Sequence, residues 1–174
     1  MLKELFGGDY EMLLNNDNIL EKTMIIVEKT FRHVKDKQGM PYIGHLLRVC
    51  NRLSKIDQKI VGLLHDIVED TEVTFADLRA VGYPDDIIEA IGILTKKDSE
   101  DNHFKRVKRL LESNNMLALV VKKADIEDNM DETRLKELEA VDFLTAARLR
   151  EKYRMTYERV NECLKGEGGK NVRY

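Results

Sequence analysis

The twelve residues 60–71 (IVGLLHDIVEDT) constrain the fold of this chain more than any other stretch. The first half is almost entirely apolar, and its apolar side chains would surround a helix on all sides, which predicts a buried helix. The second half places His65, Asp66, Glu69 and Asp70 within six residues. Burying such groups is costly unless they are paired or bound to a metal. The stretch therefore predicts a helix that carries a polar site into the core.

The spacing of these four residues suggests how such a site would be arranged. On a continuous helix, residues four apart share a face, so Glu69 lies one turn beyond His65 and Asp70 one turn beyond Asp66. Two side chains could then hold a metal while the other two stand beside the group that the metal activates. A solvated acidic helix end is the alternative for the His-Asp doublet alone. The apolar run before the doublet favours a site.

The remainder of the chain predicts an all-α protein. Apolar residues recur at helical spacing, the 174 residues include only two prolines, and no alternating strand pattern of useful length is present. One domain is the default at this length. We therefore expect a single domain over residues 1–174, with an N-terminal segment over residues 1–16 and a flexible tail over residues 166–174. We expect the first long helix to start near Asp17 or Asn18, with Leu20, Met24, Val27, Phe31 and Val34 on its apolar face. A short helix is expected to start at Thr74, where Thr74 and Asp77 suit a capping box.

Composition excludes several classes of partner. The formal net charge of −3 does not indicate nucleic-acid binding. No apolar run approaches the roughly eighteen residues that a membrane span needs, and residues 1–12 lack the apolar stretch of a signal peptide. Cys50 and Cys163 lie in helical patterns and fit reduced thiols better than a disulfide framework. We expect a cytoplasmic protein without a nucleic-acid or membrane partner.

Two further segments carry candidate ligands for the site. His45 lies in the first turns of a helix that Pro41 is suited to start. Asp125 follows an apolar run over residues 116–121. Taken alone, His45 is as easily a core histidine, and Asp125 an ordinary acidic helix end. His33 and His103 are interpreted as surface or capping residues.

If His45, His65, Asp66 and Asp125 converge, they come from three separate helices, as the metal sites of helical bundles do. Two imidazoles and two carboxylates suit a borderline or harder divalent ion. Four protein ligands would saturate tetrahedral zinc, and hydrolysis needs an open position. Manganese is therefore favoured, with iron or magnesium behind it. Glu69 or Asp70 could orient a water on such an ion or move its proton.

Three segments together resemble the HD-domain phosphohydrolases: residues 39–45 (GMPYIGH), 63–71 (LLHDIVEDT) and 123–130 (KADIEDNM). The nearest resemblance is to the hydrolase domain of the RelA/SpoT type, which removes pyrophosphate from the 3′ position of the alarmone (p)ppGpp. It implies an HD-domain helical bundle with a metal site in the core, with manganese as the usual ion. It also implies three sets of site residues. These are the metal ligands His45, His65, Asp66 and Asp125, the water-activating pair Glu69 and Asp70, and the nucleotide contact Asn129.

This sequence departs from the family pattern in two places. The alarmone hydrolases carry an Arg-Lys segment before the Gly-x-Pro-Tyr turn, whereas here Lys35-Asp36-Lys37 places an acid at the arginine position. Lys35 and Lys37 stay candidates for substrate binding. The third motif of the family usually reads Ala-Asp-Arg-Leu-His-Asn-Met, and residues 126–128 (IED) replace its central part here. The resemblance thus implies that all four metal ligands are present, and that the residues which would contact the substrate differ from the family pattern.

Three functions compete at this point. The first is a metal-dependent phosphohydrolase acting on a small-molecule nucleotide, most similar to a (p)ppGpp 3′-pyrophosphohydrolase. The second is an HD nucleotidase or phosphodiesterase acting on another nucleotide. The third is a non-catalytic helical module that binds a nucleotide or a partner protein. Positive charge for phosphate groups is available from six lysines: Lys35, Lys37, Lys96, Lys97, Lys122 and Lys123.

Overall fold

A computed structural model describes residues 1–36, 39–97 and 102–166, and in this part of the chain the regular backbone is helical, with one isolated bridge between Lys35 and Pro41. The predicted all-α class is confirmed. After α1 (Leu2–Phe6) and a 3₁₀ turn (Gly7–Asp9), the helices are α2 (Tyr10–Leu14), α3 (Ile19–Thr30), α4 (Ile43–Asn51), α5 (Ile56–Leu64), α6 (Ile67–Asp70), α7 (Phe75–Ala80), α8 (Asp85–Leu94), α9 (His103–Ser113), α10 (Met116–Asn129), α11 (Glu132–Val141) and α12 (Phe143–Leu164).

Helices α5 and α10 form the centre of the fold. Helix α5 contacts α3, α4, α8 and α10, and α10 also contacts α4, α8, α9 and α12. Val61, Leu63 and Leu64 of α5 are completely buried, as are Leu119 and Val121 of α10. The prediction that residues 60–64 form a buried helix is confirmed. The two central helices bring the conspicuous polar segments of the sequence close to each other.

Side-chain caps fix where several helices begin. Asn18 accepts a hydrogen bond from the backbone N–H of Glu21 at the start of α3. Thr74 and Asp77 form a reciprocal capping box at the start of α7. Such caps satisfy N–H groups that have no partner inside the helix. The predicted helix starts near Asn18 and Thr74 are confirmed.

The predicted apolar face of α3 is partly wrong. Val27 is buried, but Met24 is 38% exposed, and Thr23 and Ile26 take the buried positions instead. The hydroxyl of Thr23 lies 2.8 Å from that of Tyr83, and a buried hydroxyl with a partner costs little. A pattern that counts only apolar residues misses a helix face that includes a satisfied threonine.

The prediction of one continuous helix through His65 is also wrong. Helix α5 ends at Leu64, Asp66 has φ −106°, and α6 begins at Ile67. The Nδ1–H group of His65 donates to the carbonyl oxygen of Gly62 at 2.8 Å. That carbonyl is the one to which the backbone N–H of Asp66 would bond in an uninterrupted helix. The site therefore lies on a turn between two helices. Asp70 still lies one turn beyond Asp66, since its backbone N–H donates to the Asp66 carbonyl oxygen at 2.8 Å.

The two ends of the chain differ in how far the structure describes them. The N-terminal segment over residues 1–16 contributes Leu2, Phe6 and Leu13 to the core. Of the predicted tail, residues 167–174 lie outside the described part of the chain. Cys50 and Cys163 are both free thiols, as predicted. Among the described helices, none combines the length and the apolar character that crossing a bilayer requires.

Candidate metal centre

Three of the four predicted metal ligands come together in the core. His45 projects from the first turn of α4, His65 from the turn after α5, and Asp125 from the last turn of α10, and all three are buried. Each offers one ligand atom, and these atoms lie within 4.8 Å of one another. Oδ1 of Asp125 lies 3.4 Å from Nε2 of His45 and 3.8 Å from Nε2 of His65. Side chains far apart in sequence thus surround one point, as predicted.

Asp66, the fourth predicted ligand, lies at the edge of this group. Its Oδ2 atom is 2.9 Å from Nε2 of His65, and it accepts a hydrogen bond from the hydroxyl of Tyr42 at 2.5 Å. Tyr42 belongs to the GMPYIGH segment, where sequence reasoning singled out only His45. The structure thus places a tyrosine behind the aspartate of the His-Asp doublet.

The ring of His65 fits a metal ligand. A carbonyl oxygen only accepts hydrogen bonds, so the contact with Gly62 puts a hydrogen on Nδ1 and leaves Nε2 as the exchangeable position. Nε2 is buried and has no hydrogen-bond partner among the described residues, since Asp66 lies close to it without the alignment of a hydrogen bond. A buried nitrogen beside two carboxylates is a suitable donor for a divalent cation.

The histidines and carboxylates of the centre shift one another's pKa values. Burial lowers the pKa of His65, but the negative charges of Asp66 and Asp125 outweigh this and raise it to about 9. Burial raises the pKa of Asp125, yet Lys122 and the two histidines hold it well below its usual range. Both carboxylates are therefore ionised at neutral pH, and their negative charge favours a cation between them.

Glu69 and Asp70, predicted to activate water, have different surroundings. Glu69 accepts from the backbone N–H of Lys96 at 3.1 Å and from Arg106 at 3.3 Å. The pKa of Asp70 is raised to about 6 by partial burial and by the charges of Asp66 and Glu69. Both side chains line the cavity described below. Glu69 is held in place, whereas Asp70 can take up and release a proton near neutral pH.

Two side chains of α10 hold Asp125. The Asn129 amide donates to Oδ1 of Asp125 at 2.6 Å, and Nζ of Lys122 lies 2.7 Å from Oδ2. Asn129 was predicted to contact a nucleotide; it lines the cavity and also holds the predicted ligand Asp125 in place. The pKa of Lys122 falls with burial but is raised overall by Asp125, so the lysine stays charged.

A cavity of about 520 Å³ opens from this centre towards α9 and α12. Its far wall carries His103, Arg106, Lys152 and Tyr153, with Lys122 nearer the centre. The pKa of His103 is lowered to about 4 by burial and by the positive charges of Lys152, Lys122 and Arg106, so the ring is neutral. Sequence reasoning assigned His103 to the surface and passed over Arg106 and Lys152. In the sequence, Arg106 and Lys152 lie on amphipathic helices, where such residues are usually solvated surface charges.

The lysines that were predicted to offer positive charge to phosphates differ in whether they line the cavity. Lys35 is exposed and lines the cavity, as Lys122 does, whereas Lys37 lies outside the described residues. Lys97 lines a separate shallow cavity. Lys123 lies 3.9 Å from Glu127, outside the cavity lining.

The altered third motif does not face the cavity. Ile126 is completely buried, and Glu127 accepts a hydrogen bond from the hydroxyl of Tyr157 at 3.2 Å. Asp128 is also buried and bonds to His45 and Arg48. None of the three side chains lines the cavity. The substitutions at these positions therefore act on the support of the site rather than on its walls.

Comparison with known proteins gives related sequences, although no family model matches the chain. It is 30% identical over 107 residues to guanosine-3′,5′-bis(diphosphate) 3′-pyrophosphohydrolase MESH1 of Drosophila melanogaster, covering 55% of this chain and 58% of that protein. It is 35% identical over 106 residues to a probable enzyme of the same name from Mycoplasma pneumoniae, covering 59% of this chain and 14% of the relative. The chain thus spans less than two thirds of either relative.

A solved structure shares the fold. It is a metazoan ortholog of SpoT, described as hydrolysing ppGpp and playing a role in starvation responses. The TM-score is 0.58 at 21% identity, and the match covers 87% of this chain and 94% of that one. The chain therefore has the all-α fold of that protein and is a sequence relative of proteins named guanosine-3′,5′-bis(diphosphate) 3′-pyrophosphohydrolases.

Proposed function

We propose that this chain is a metal-dependent phosphohydrolase that removes pyrophosphate from the 3′ position of (p)ppGpp or a closely similar nucleotide. The observation that carries the proposal is the buried group of His45, His65 and Asp125 at the floor of a cavity, with Nε2 of His65 unpartnered among the described residues. The names of the sequence relatives supply the substrate class.

We infer that His45, His65, Asp66 and Asp125 hold a divalent cation. The mixed imidazole and carboxylate set favours Mn²⁺, with Fe²⁺ or Mg²⁺ as alternatives. When bound, such an ion polarises a phosphoryl oxygen and lowers the pKa of coordinated water. Tyr42 and Asn129 keep the two carboxylates in place, through their hydrogen bonds to Asp66 and Asp125.

Asp70 and Glu69 have different roles towards the attacking water. A carboxyl with a pKa of about 6 is partly ionised near neutral pH and suits a general base, so Asp70 accepts the proton. Glu69 is fixed by Arg106 and the Lys96 backbone, and it orients the water. Because Arg106 holds Glu69 and also lines the cavity, it links this pair to the substrate wall.

The cavity suits a nucleotide that carries more than one phosphate group. Its volume of about 520 Å³ lies within the usual range for small-molecule sites, roughly 300–1,000 Å³. One end is the acidic centre, beside which Lys122 also lies, and α9 and α12 add positive charge to the lining from Arg106 and Lys152. Apolar side chains between the helices can pack against a base: Ile93, Leu94, Leu110 and Leu149. Anionic groups at two places on the substrate match this distribution better than one terminal phosphate does.

The test combines metal reconstitution with a nucleotide panel. Chelated protein is reloaded with Mn²⁺, Fe²⁺, Mg²⁺ or Zn²⁺ and assayed with ppGpp, pppGpp, GDP, GMP and AMP. We expect pyrophosphate release from ppGpp and pppGpp with Mn²⁺, loss of turnover in Asp125→Asn, and unchanged turnover in Asp17→Asn, which removes an exposed carboxylate.

Each alternative function has its own outcome in this assay. Release of phosphate from GMP or AMP alone would support a nucleotidase. Nucleotide binding without metal and without turnover would support a non-catalytic module. Full activity in Asp125→Asn would defeat the proposed centre.

A further inference from the structure

We propose that Asp128 is a positioning residue for the metal centre, which holds the His45 ring so that Nε2, and not Nδ1, is the position available to a cation. The inference rests on the proposed function, in which His45 is a ligand. Asp128 lies in the altered third motif, whose departure from the family pattern was expected to affect substrate recognition.

The contacts of His45 define the orientation of its ring. Nδ1 lies 2.8 Å from Oδ2 of Asp128, and Nε2 lies 3.4 Å from Oδ1 of Asp125 on the opposite side. The His45 ring thus lies between the carboxylates of Asp125 and Asp128, which both belong to α10. Because an ionised carboxylate only accepts hydrogen bonds, the contact with Asp128 places a hydrogen on Nδ1. Nε2 then faces the group formed with His65 and Asp125.

Arg48 keeps the Asp128 carboxylate ionised and immobile. Its Nε donates to Oδ1 at 2.8 Å and its Nη2 donates to Oδ2 at 3.1 Å. The Asp128 side chain is only 1% exposed, so its charge is balanced by these donors rather than by water. An arginine cannot accept a hydrogen bond, so both carboxylate oxygens are committed as acceptors. The Arg48 side chain is 46% exposed, and solvent therefore reaches the charge that balances Asp128.

A carboxylate behind a ligating histidine fixes the tautomer and increases the basicity of the ring. His65 has a neutral carbonyl, that of Gly62, in the equivalent role. The two histidines are therefore oriented by partners of different charge. His45 is expected to be the more strongly donating ligand of the two.

Asp128→Asn tests the orientation of the His45 ring without changing the packing around it, because the side chains of aspartate and asparagine have nearly the same shape. The amide has one acceptor and one donor group. The shorter Arg48 contact is to Oδ1, and Arg52 lies 3.8 Å from the same atom, so we expect the amide oxygen at that position. The NH₂ group then takes the position that faces Nδ1 of His45. Nδ1 must then accept, and the hydrogen of the neutral ring moves to Nε2. The ring stays in place but holds the wrong tautomer for a metal ligand, as occurs when the aspartate of a serine-protease triad is changed to asparagine.

The first measurement is the His45 tautomer. We would record ¹⁵N shifts of labelled histidines in metal-free protein at a pH where the ring is neutral. We expect Nδ1–H in the unsubstituted protein and Nε2–H in Asp128→Asn. Finding Nε2–H in the unsubstituted protein would overturn the inference, and this result needs no variant to fold.

The second measurement is Mn²⁺ affinity by titration calorimetry. We expect Asp128→Asn to weaken binding about 10–100-fold and Asp17→Asn to leave it unchanged. In the variant Asp128→Asn/Arg48→Met/Arg52→Met no arginine holds the amide oxygen at the Oδ1 position, so the amide can turn its oxygen to His45 and part of the affinity should return. An unchanged tautomer and unchanged affinity in Asp128→Asn would overturn the inference. Absence of Mn²⁺ binding by the unsubstituted protein would instead contradict the proposed function, while its His45 tautomer would still decide the role of Asp128.

Discussion

The hydroxyl of Tyr42 donates a hydrogen bond to Oδ2 of Asp66 at 2.5 Å, and this contact joins two segments 24 residues apart. The Tyr42 ring also stacks on Phe31, with ring centroids 5.6 Å apart, and lies against His45. One side chain therefore supports both a predicted carboxylate ligand and a predicted imidazole ligand. Its two contributions, packing and hydrogen bonding, can be separated by removing the hydroxyl alone.

We expect Tyr42→Phe to keep the ring contacts and lose the hydrogen bond to Asp66. A hydrogen bond to a charged group contributes about 1.5–3 kcal/mol, so the free energy of unfolding should fall by roughly 1–3 kcal/mol in denaturant titrations. Mn²⁺ affinity should fall as well, because Asp66 becomes free to rotate. The matched control is Tyr83→Phe, which loses a hydroxyl contact with Thr23 instead. If Tyr83→Phe weakened Mn²⁺ binding as much as Tyr42→Phe, the effect could not be assigned to Asp66.

Asp70→Asn should stabilise the metal-free protein at neutral pH. The folded-state pKa is about 6 against a reference value of 3.8. Between these values the folded chain binds more protons than the unfolded chain, so stability falls as pH rises from about 4 to 6 and stays reduced above that. Because Asp70 is exposed, solvent screening limits the gain in Asp70→Asn to about 0.5–1 kcal/mol at pH 7.

Denaturant unfolding of Asp70→Asn and of the unsubstituted protein at pH 4 and pH 7 checks this sign. The gain should be present at pH 7 and nearly absent at pH 4, where Asp70 of the folded chain is protonated and therefore uncharged, as asparagine is. Turnover should decrease in the same variant, since the proton acceptor is gone. A variant that is less stable at pH 7 would mean that the Asp70 carboxylate is favourably paired.

Lys152→Met should raise the KM for ppGpp with little change in kcat. Lys152 lines the cavity from α12, which carries none of the predicted metal ligands, so its charge is expected to bind the part of the substrate that does not react. Loss of one charge-assisted contact of about 1.5–3 kcal/mol corresponds to a rise of roughly ten-fold or more in KM. Lys108→Met is the matched control, because Lys108 is exposed on α9 and lies 3.7 Å from Glu112. Equal KM values for the two variants would exclude a role for Lys152 in binding.

Gly62→Ala should destabilise the protein, whereas Gly92→Ala should not. A Cβ atom at Gly62 would lie 2.6 Å from Cδ1 of the buried Leu53, so α5 would have to move away from α4 or Leu53 would have to change rotamer. Such overpacking costs typically about 1–3 kcal/mol. A Cβ at Gly92 meets Phe75 at 3.8 Å, an ordinary contact, and the better helix propensity of alanine should stabilise α8 by about 0.5–1 kcal/mol. Thermal unfolding of both variants would decide, and equal effects would contradict this packing argument.

The elements that could be predicted from the sequence are those fixed by local chemistry. Asn18 and Thr74 mark helix starts because their side chains cap the adjacent backbone, and that interaction needs no tertiary structure. The apolar run before His65 predicts burial because it has no polar face to turn to solvent. His45 and Asp125 could be joined to His65 only through the family resemblance, since periodicity does not state which helices meet.

The elements that were missed depend on contacts between distant residues. The break after Leu64 arises from the His65 ring bonding to a carbonyl, which hydrophobic periodicity does not register. Thr23 is buried because Tyr83 satisfies its hydroxyl 60 residues away. His103 faces the cavity rather than solvent because α12 covers it, with Thr156 at 2.9 Å. The role of such residues follows from their neighbours, and the sequence around them carries no signal for it.

The ion pair between Lys122 and Asp125 has a consequence for the order of events after synthesis. Lys122 lies one helical turn before Asp125 and supplies a positive charge as soon as α10 forms. The carboxylate of this buried candidate ligand is thus paired within its own helix, so its burial does not require a metal ion. Under the proposed function, folding of the scaffold and loading of the cation can therefore be separate steps, and a bound cation would add to the stability of the folded chain.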